Sequence, residues 1–155
     1  MDTPEDLIPL DPAYAKMLRV RACLHGAILL ALALVGEVFA PTPTGLIAVP
    51  ALALAAWLIG VVPQRRYARW GYAFGADRLR VVSGYLFYND TVVPLGRIQH
   101  IDLDQGPLMR RWDLAELTVH TAGSHGASVS LPGLRRADAE AMREAIREHI
   151  RKALD

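Results

Sequence analysis

Two apolar runs, Ala22–Ala40 and Gly45–Val62, stand back to back with only Pro41-Thr42-Pro43-Thr44 between them. At ~1.5 Å per residue each run extends ~27–29 Å, close to the ~30 Å hydrocarbon core of a bilayer. Buried helices of soluble proteins alternate apolar and polar faces, whereas these runs are apolar all round. The second carries no charge, and the first holds only His25 near its start and Glu37 near its end. The chain therefore reads as a membrane hairpin carrying one soluble domain. The first run begins after some twenty residues that include Asp2, Glu5, Asp6 and Asp11, and Val38-Phe39-Ala40 is a poor cleavage site. It reads as a retained helix, not a signal peptide.

Basic residues set the expected orientation. Lys16, Arg19 and Arg21 precede the first run, Arg65, Arg66 and Arg69 follow the second, and the link between them has none. Positive flanks stay cytoplasmic, so both termini and the soluble domain are expected inside a bacterial cytoplasmic membrane. Trp57, Tyr67 and Trp70 fall where the second helix meets the inner surface. Pro50 is expected to bend that helix modestly. Glu37 lies near the outer end, within reach of headgroups. His25 reads as a packing or interfacial residue rather than a proton relay. The expected layout is a cytoplasmic segment over 1–19, a hairpin over 20–62 and a domain over 63–155.

The formal charge of +1 divides into −2 over residues 1–62 and +3 over 63–155. A surplus of that size is too small for a nucleic-acid partner. Cys23 stands alone and forms no internal disulfide. After Arg69 the pattern turns to short alternating runs. Gly71–Phe74, Arg78–Val81, Tyr85–Val93, Ile98–Leu103, Leu117–Thr121 and Ser128–Leu131 read as strands, with Ser83-Gly84 and Ala122–Gly126 as turns. Asn89-Asp90 reads as a turn or bulge inside its run. From Arg136 to Leu154 there is no glycine or proline. Ala139, Met142, Ala145, Ile146, His149, Ile150 and Ala153 share one helical face, and Glu140–Arg143 and Glu144–Arg147 have helical pair spacing. About six or seven antiparallel strands and one amphipathic helix over about 136–153 are expected.

The segments Pro94-Leu95-Gly96-Arg97-Ile98-Gln99-His100-Ile101, Gln105-Gly106-Pro107-Leu108-Met109-Arg110-Arg111 and Leu114–Gly123, with Pro132-Gly133-Leu134 before the helix, carry a resemblance. Over about residues 70–150 the chain resembles the bacterial pleckstrin-homology (PH) domain of YdbS-like membrane proteins, and the two preceding helices match that layout. The resemblance implies a mainly-β, PH-like barrel capped by a C-terminal helix beneath the cytoplasmic membrane. It also implies a larger relative with several such domains as a partner, and no established catalytic residues. Trp112-Asp113 stands where relatives usually read Leu-Gly. If that backbone needs a positive φ, Asp tolerates it better than most non-glycine residues.

No enzymatic constellation is strong. His100, Asp102 and Asp104 alternate along one strand and read as its solvated face rather than as a metal site. His120 and His125 flank a turn and lack a third ligand. Ser124-His125 has no orienting acid, and there is neither CxxC nor HExxH. The expectation is no catalytic residue, no metal, no cofactor and no small-molecule substrate. The candidate contacts for a headgroup or a partner are Arg65, Arg66, Arg69, Arg110, Arg111 and Trp112. The expected role is a non-enzymatic interaction or scaffold module, working with a larger multi-PH-domain relative or with its own copies. A headgroup-binding module is the alternative, and a membrane enzyme using His100, Asp102 and Asp104 comes third.

Overall fold

The computed structural model describes residues 7–40, 43–84, 87–121 and 128–154. They divide into two compact units, one spanning Ala15–Tyr67 and the other joining Met1–Tyr14 with Ala68–Asp155.

The first unit is helical. Helix α1 covers Pro12–Phe39, so it begins well before the apolar run and contributes only its first turn to the other unit. Helix α2 covers Ala48–Gly60 and α3 covers Val62–Ala68. Together with α1 they give two stretches long and apolar enough to cross a membrane, Pro12–Phe39 and Ala48–Ala68. Pro50 falls in the first turn of α2, where proline is best tolerated in a helix. The interruption comes instead between α2 and α3, just before Pro63, which supplies no N–H for the helical ladder. Residues 62–68, which lead from the apolar run to the β domain, are helical.

Small residues let the two apolar helices approach. A Cβ on Gly26 would meet Ile59 at 3.0 Å and Ala55 at 3.6 Å, and Ala55 is fully buried. At the other end Glu37 closes the hairpin. Its carboxyl oxygens accept the Gly45 N–H and, at 2.7 Å, the Ala48 N–H at the start of α2. These donors have no partner in the helix, and the positive end of the helix dipole favours the acid. This acid is thus a helix cap. Glu37→Ala is expected to lower stability by ~1–2 kcal/mol, read as an earlier thermal midpoint of the full chain in detergent, with Glu37→Gln closer to wild type.

The second unit is a mainly-β, PH-like fold of two antiparallel sheets and a helix. Strands β1 (Ile8–Pro9), β2 (Gly71–Phe74), β3 (Arg78–Gly84) and β4 (Tyr88–Pro94) form one sheet in that order. A 3-10 turn at Leu95–Arg97 leads to β5 (Ile98–Asp104), which pairs with β6 (Leu114–Thr121), itself paired with β7 (Ser128–Arg135). The short helix α4 (Pro107–Arg111) joins β5 to β6, and α5 (Arg136–Leu154) follows β7 directly. Asn89 and Asp90 are not a turn. They continue β4 in register with Ser83 and Val82, and the chain reverses between Gly84 and Tyr88 instead. The Ala122–Gly126 turn lies outside the described residues.

Leu79, Val81, Val93, Leu114, Leu117, Val119 and Leu131 fill the core from both sheets. Helix α5 adds Ala139, Met142 and Ile146, the narrow stripe at three- and four-residue spacing that packs on β5, β6, β7 and the 3-10 turn. Ala145 is exposed and does not belong to it. On the other face Glu144 pairs with Arg147 as the spacing requires, while Glu140 takes Arg136 rather than Arg143.

The N-terminal segment is part of this domain. Pro9 is the register partner of Gly71, and Leu10 and Tyr14 are 2% and 3% exposed. Asp11 caps α1, its Oδ1 accepting the Ala13 N–H at 2.7 Å with Pro12 as first helical residue. Its Oδ2 accepts from Arg135 Nε at 2.6 Å, and its own N–H donates to the Gly133 carbonyl at 3.2 Å. Gly133 has φ +71, and a Cβ there would run into the Tyr14 ring.

Candidate functional site

The candidate residues fall in different places. Arg65 and Arg66 are exposed on α3, in the helical unit, and Arg69 is exposed just before β2. Arg110 and Arg111 are the exposed last residues of α4, and Trp112 beside them is half-buried. Among the described residues, neither arginine of α4 has a carboxylate within ion-pair distance.

The geometry around α4 explains why Asp113 can stand where relatives usually read Gly. Helix α4 starts with Pro107 and stops at Trp112, whose N–H donates to the Met109 carbonyl at 3.1 Å. Asp113 then turns the chain with φ +53, the left-handed conformation that favours glycine and that Asp accepts better than most residues. Its carbonyl receives the Arg136 N–H at 3.0 Å. Leu114 and Arg135 are register partners, so the end of α4 and the start of α5 necessarily meet. Gln105 Nε2 donates to the Leu114 carbonyl at 2.9 Å and closes the same corner.

An open groove of about 620 Å³ results, in which Arg110 is joined by Arg136 and Arg143 from α5 and by Asp113 and Glu140. Arg111 and Trp112 do not line it. No local sequence pattern marks the two helix arginines, which sit in an ordinary charged helix face; only the pairing of β6 with β7 brings them to α4. Three guanidiniums face two carboxylates here, and Glu140 already accepts from Arg136 Nε at 2.9 Å. That hydrogen bond holds the Arg136 guanidinium above its usual range. The net charge left for an anion is small.

The same economy runs through the domain. Arg80 holds Asp90 at 2.6 Å and keeps its carboxyl below the usual carboxylate range, chiefly through the hydrogen bond. Asp11 does the converse for Arg135, raising it. Glu148 is shared by Arg151 and Lys152. Exposed pairs of this kind contribute little stability individually, but each removes a cation from recognition of an anionic ligand.

The strand residues His100 and Asp102 do share a face, as alternation requires, with His100 Nε2 2.7 Å from Asp102 Oδ1. The third member is not Asp104 but His120 from β6, the register partner of His100, whose Nε2 is 3.0 Å from Asp102 Oδ2. His100 remains 70% exposed, so the cluster is open to solvent. Among the described residues no group of three His, Cys, Asp or Glu side chains could hold a metal ion. His125 lies outside the described residues.

A second groove, of about 640 Å³, lies on the outer face of the four-stranded sheet and is mainly apolar. Leu7, Trp70, Phe87 and Tyr88 wall it, with Arg69 at its rim. Its floor is low because Gly71 and Gly84 lie on the face that also presents Pro9, Val82 and Tyr88. A Cβ on Gly71 would meet that of Leu7 at 3.2 Å, and one on Gly84 would strike the Phe87 carbonyl. Nothing in the alternation of these strands announces the groove; its one sequence signal is the aromatic run at Tyr85–Tyr88.

Comparison with known proteins follows the same lines as the fold. A family model described as Bacterial PH domain matches residues 26–150, and so includes most of the helical hairpin as well as the β domain. The transmembrane protein YdbS of Bacillus subtilis (strain 168) is 31% identical over 98 residues, covering 59% of this chain and 60% of that protein. The chain thus matches about three fifths of the length of this curated relative. No solved structure matches the chain.

Proposed function

The chain belongs to the bacterial PH domain family, and from that premise we propose that this membrane protein is a non-enzymatic assembly module. Its hairpin holds the β domain at the cytoplasmic face of the bacterial cytoplasmic membrane, where the domain binds a larger multi-PH-domain relative or a second copy of itself. The basic flanks Lys16–Arg21 and Arg65–Arg69 support this orientation. So does the pairing of Pro9 with Gly71, because two ends joined in one domain lie on one side of a membrane.

The observation that carries the assembly reading is β4. This seven-residue strand is the outer edge of its sheet, and its exposed face bears Val92, 50% exposed. An edge of that length offers a row of backbone donors and acceptors to another chain. The full chain, extracted from host membranes in mild detergent, is expected to run in native mass spectrometry as an oligomer or with one stoichiometric companion. Val92→Lys is expected to weaken that association roughly tenfold, about 1.4 kcal/mol. A wild-type monomer with no companion would overturn the proposal.

The second reading is a headgroup module using Arg110, Arg111 and Trp112. It has in its favour that both α4 arginines lack a carboxylate partner among the described residues. It predicts that anionic lipid raises binding to vesicles and that salt abolishes it. Arg110→Ala combined with Arg111→Ala should then remove the lipid dependence and leave the native mass unchanged.

A further inference from the structure

We infer that the apolar groove on the outer face of the four-stranded sheet is a lipid contact, in which Phe87, Tyr88 and Trp70 rest in the interface of the bilayer that the chain's own helices enter. The side chains are of the right chemistry. Phe87 and Tyr88 are 86% and 75% exposed, and among the described large apolar residues of the β domain these are extreme values. Aromatic rings beside an arginine, here Trp70 with Arg69, are the mixture that collects at membrane–water boundaries, where an apolar body and a polar tip are both satisfied.

Continuity with the membrane helices selects lipid as the occupant. The groove wall begins at Ala68, the last residue of α3, and continues through Arg69 and Trp70. Its opposite wall, Leu7 and Pro9, precedes the start of α1 at Pro12 by only a few residues. The covalent link at Ala68 therefore leaves the domain from the rim of this groove. Seven residues of α3 add at most ~10 Å along the helix axis, against a headgroup layer ~5–8 Å deep. Trp70 cannot lie far from that layer, and Phe87 and Tyr88 share its groove. A soluble partner would have to enter a cleft one wall of which continues directly from a membrane helix.

The test uses the full chain reconstituted in nanodiscs of phosphatidylethanolamine and phosphatidylglycerol. Cysteine replaces Phe87, or Arg147 on α5 as a reference, in a Cys23→Ser background, and carries an environment-sensitive fluorophore. At position 87 a spin label on the lipid acyl chain is expected to quench emission roughly twofold or more, as for a group ~5–10 Å into the headgroup boundary. Emission at position 147 should be unaffected. A Tyr88→Cys probe should behave like the one at 87, which guards against a local fold defect at a single site. Equal, negligible lipid quenching at 87, 88 and 147 would overturn the inference. So would a blue shift at 87 that grows with protein concentration without lipid quenching, since a second copy would then be the occupant. Because the readout is depth in lipid, it stands or falls separately from the native mass of the Val92→Lys variant.

Discussion

Replacing Gly133 by alanine is expected to lower the thermal midpoint of the β domain by at least about 8 °C. Two costs combine at this position. The backbone sits at φ +71, a conformation that costs an L-residue ~1–2 kcal/mol. The new methyl also runs into the ring of Tyr14, which is 3% exposed and has no room to retreat. Crowding a packed core in this way costs ~1–3 kcal/mol. The smaller of the two sums, ~2 kcal/mol, corresponds to ~8 °C or more in a domain of this size. Gly96→Ala is the reference, because a Cβ there meets nothing within 4 Å; its change should stay within ~0.5 kcal/mol. Equal midpoints for the two variants, followed by circular dichroism of the full chain in detergent, would mean that Tyr14 does not pack on β7.

The second large effect concerns what counts as the domain. A fragment beginning at Ala68 has every residue from β2 to α5 but lacks β1, Leu10 and Tyr14. Each large side chain that is fully buried contributes ~1.5–3 kcal/mol, so the fragment forfeits roughly 3–6 kcal/mol from those two alone. A small domain has only ~5–15 kcal/mol in total. The fragment should therefore unfold at much lower denaturant or fail to fold cooperatively. A chain in which residues 15–67 are replaced by a Gly/Ser linker should recover. Pro9 and Gly71 are register partners, and about ten linker residues reach ~33–36 Å, enough to rejoin Tyr14 to Ala68. Urea unfolding followed by tryptophan emission compares the two. Identical midpoints would show that the N-terminal segment is a passenger.

The hairpin was legible because length and absence of charge leave an apolar run few alternatives, and most strands were legible because one face of each is buried. Helix α5 announced itself by its period, although Ala145 fitted the pattern and is exposed. What escaped depended on residues far apart in the chain. Ile8-Pro9 is too short to alternate and contains a residue that usually marks a strand's end, so only its pairing with Gly71 and Tyr72 makes it a strand. Asn89-Asp90 has turn composition, but β3 lies alongside it and Arg80 occupies its carboxylate. Glu37 looked like an acid reaching for headgroups until the start of α2 supplied the N–H groups it caps. Among the candidate contacts, Arg110 acquired neighbours that no local pattern could give it, since Arg136 and Arg143 reach it only through the β6–β7 register. Arg111 and Trp112 stand beside Arg110 in the chain, and the groove does not include them.

Asp11 and Arg135 stand 124 residues apart. At ~5–20 residues per second a ribosome needs on the order of ten seconds to make the second after the first. Through that interval Leu10 and Tyr14 wait without their partners while the intervening helices are delivered to the membrane. In the two-span topology proposed above, the clasp formed by Asp11, Tyr14, Gly133 and Arg135 can close because an even number of crossings brings β7 back to the side where residues 7–14 wait. A chain that inserts one helix and leaves the other outside strands the two halves of the clasp on opposite sides, with an unfinished core exposed to proteases. Completion of the β domain thereby doubles as a check on how the hairpin was threaded.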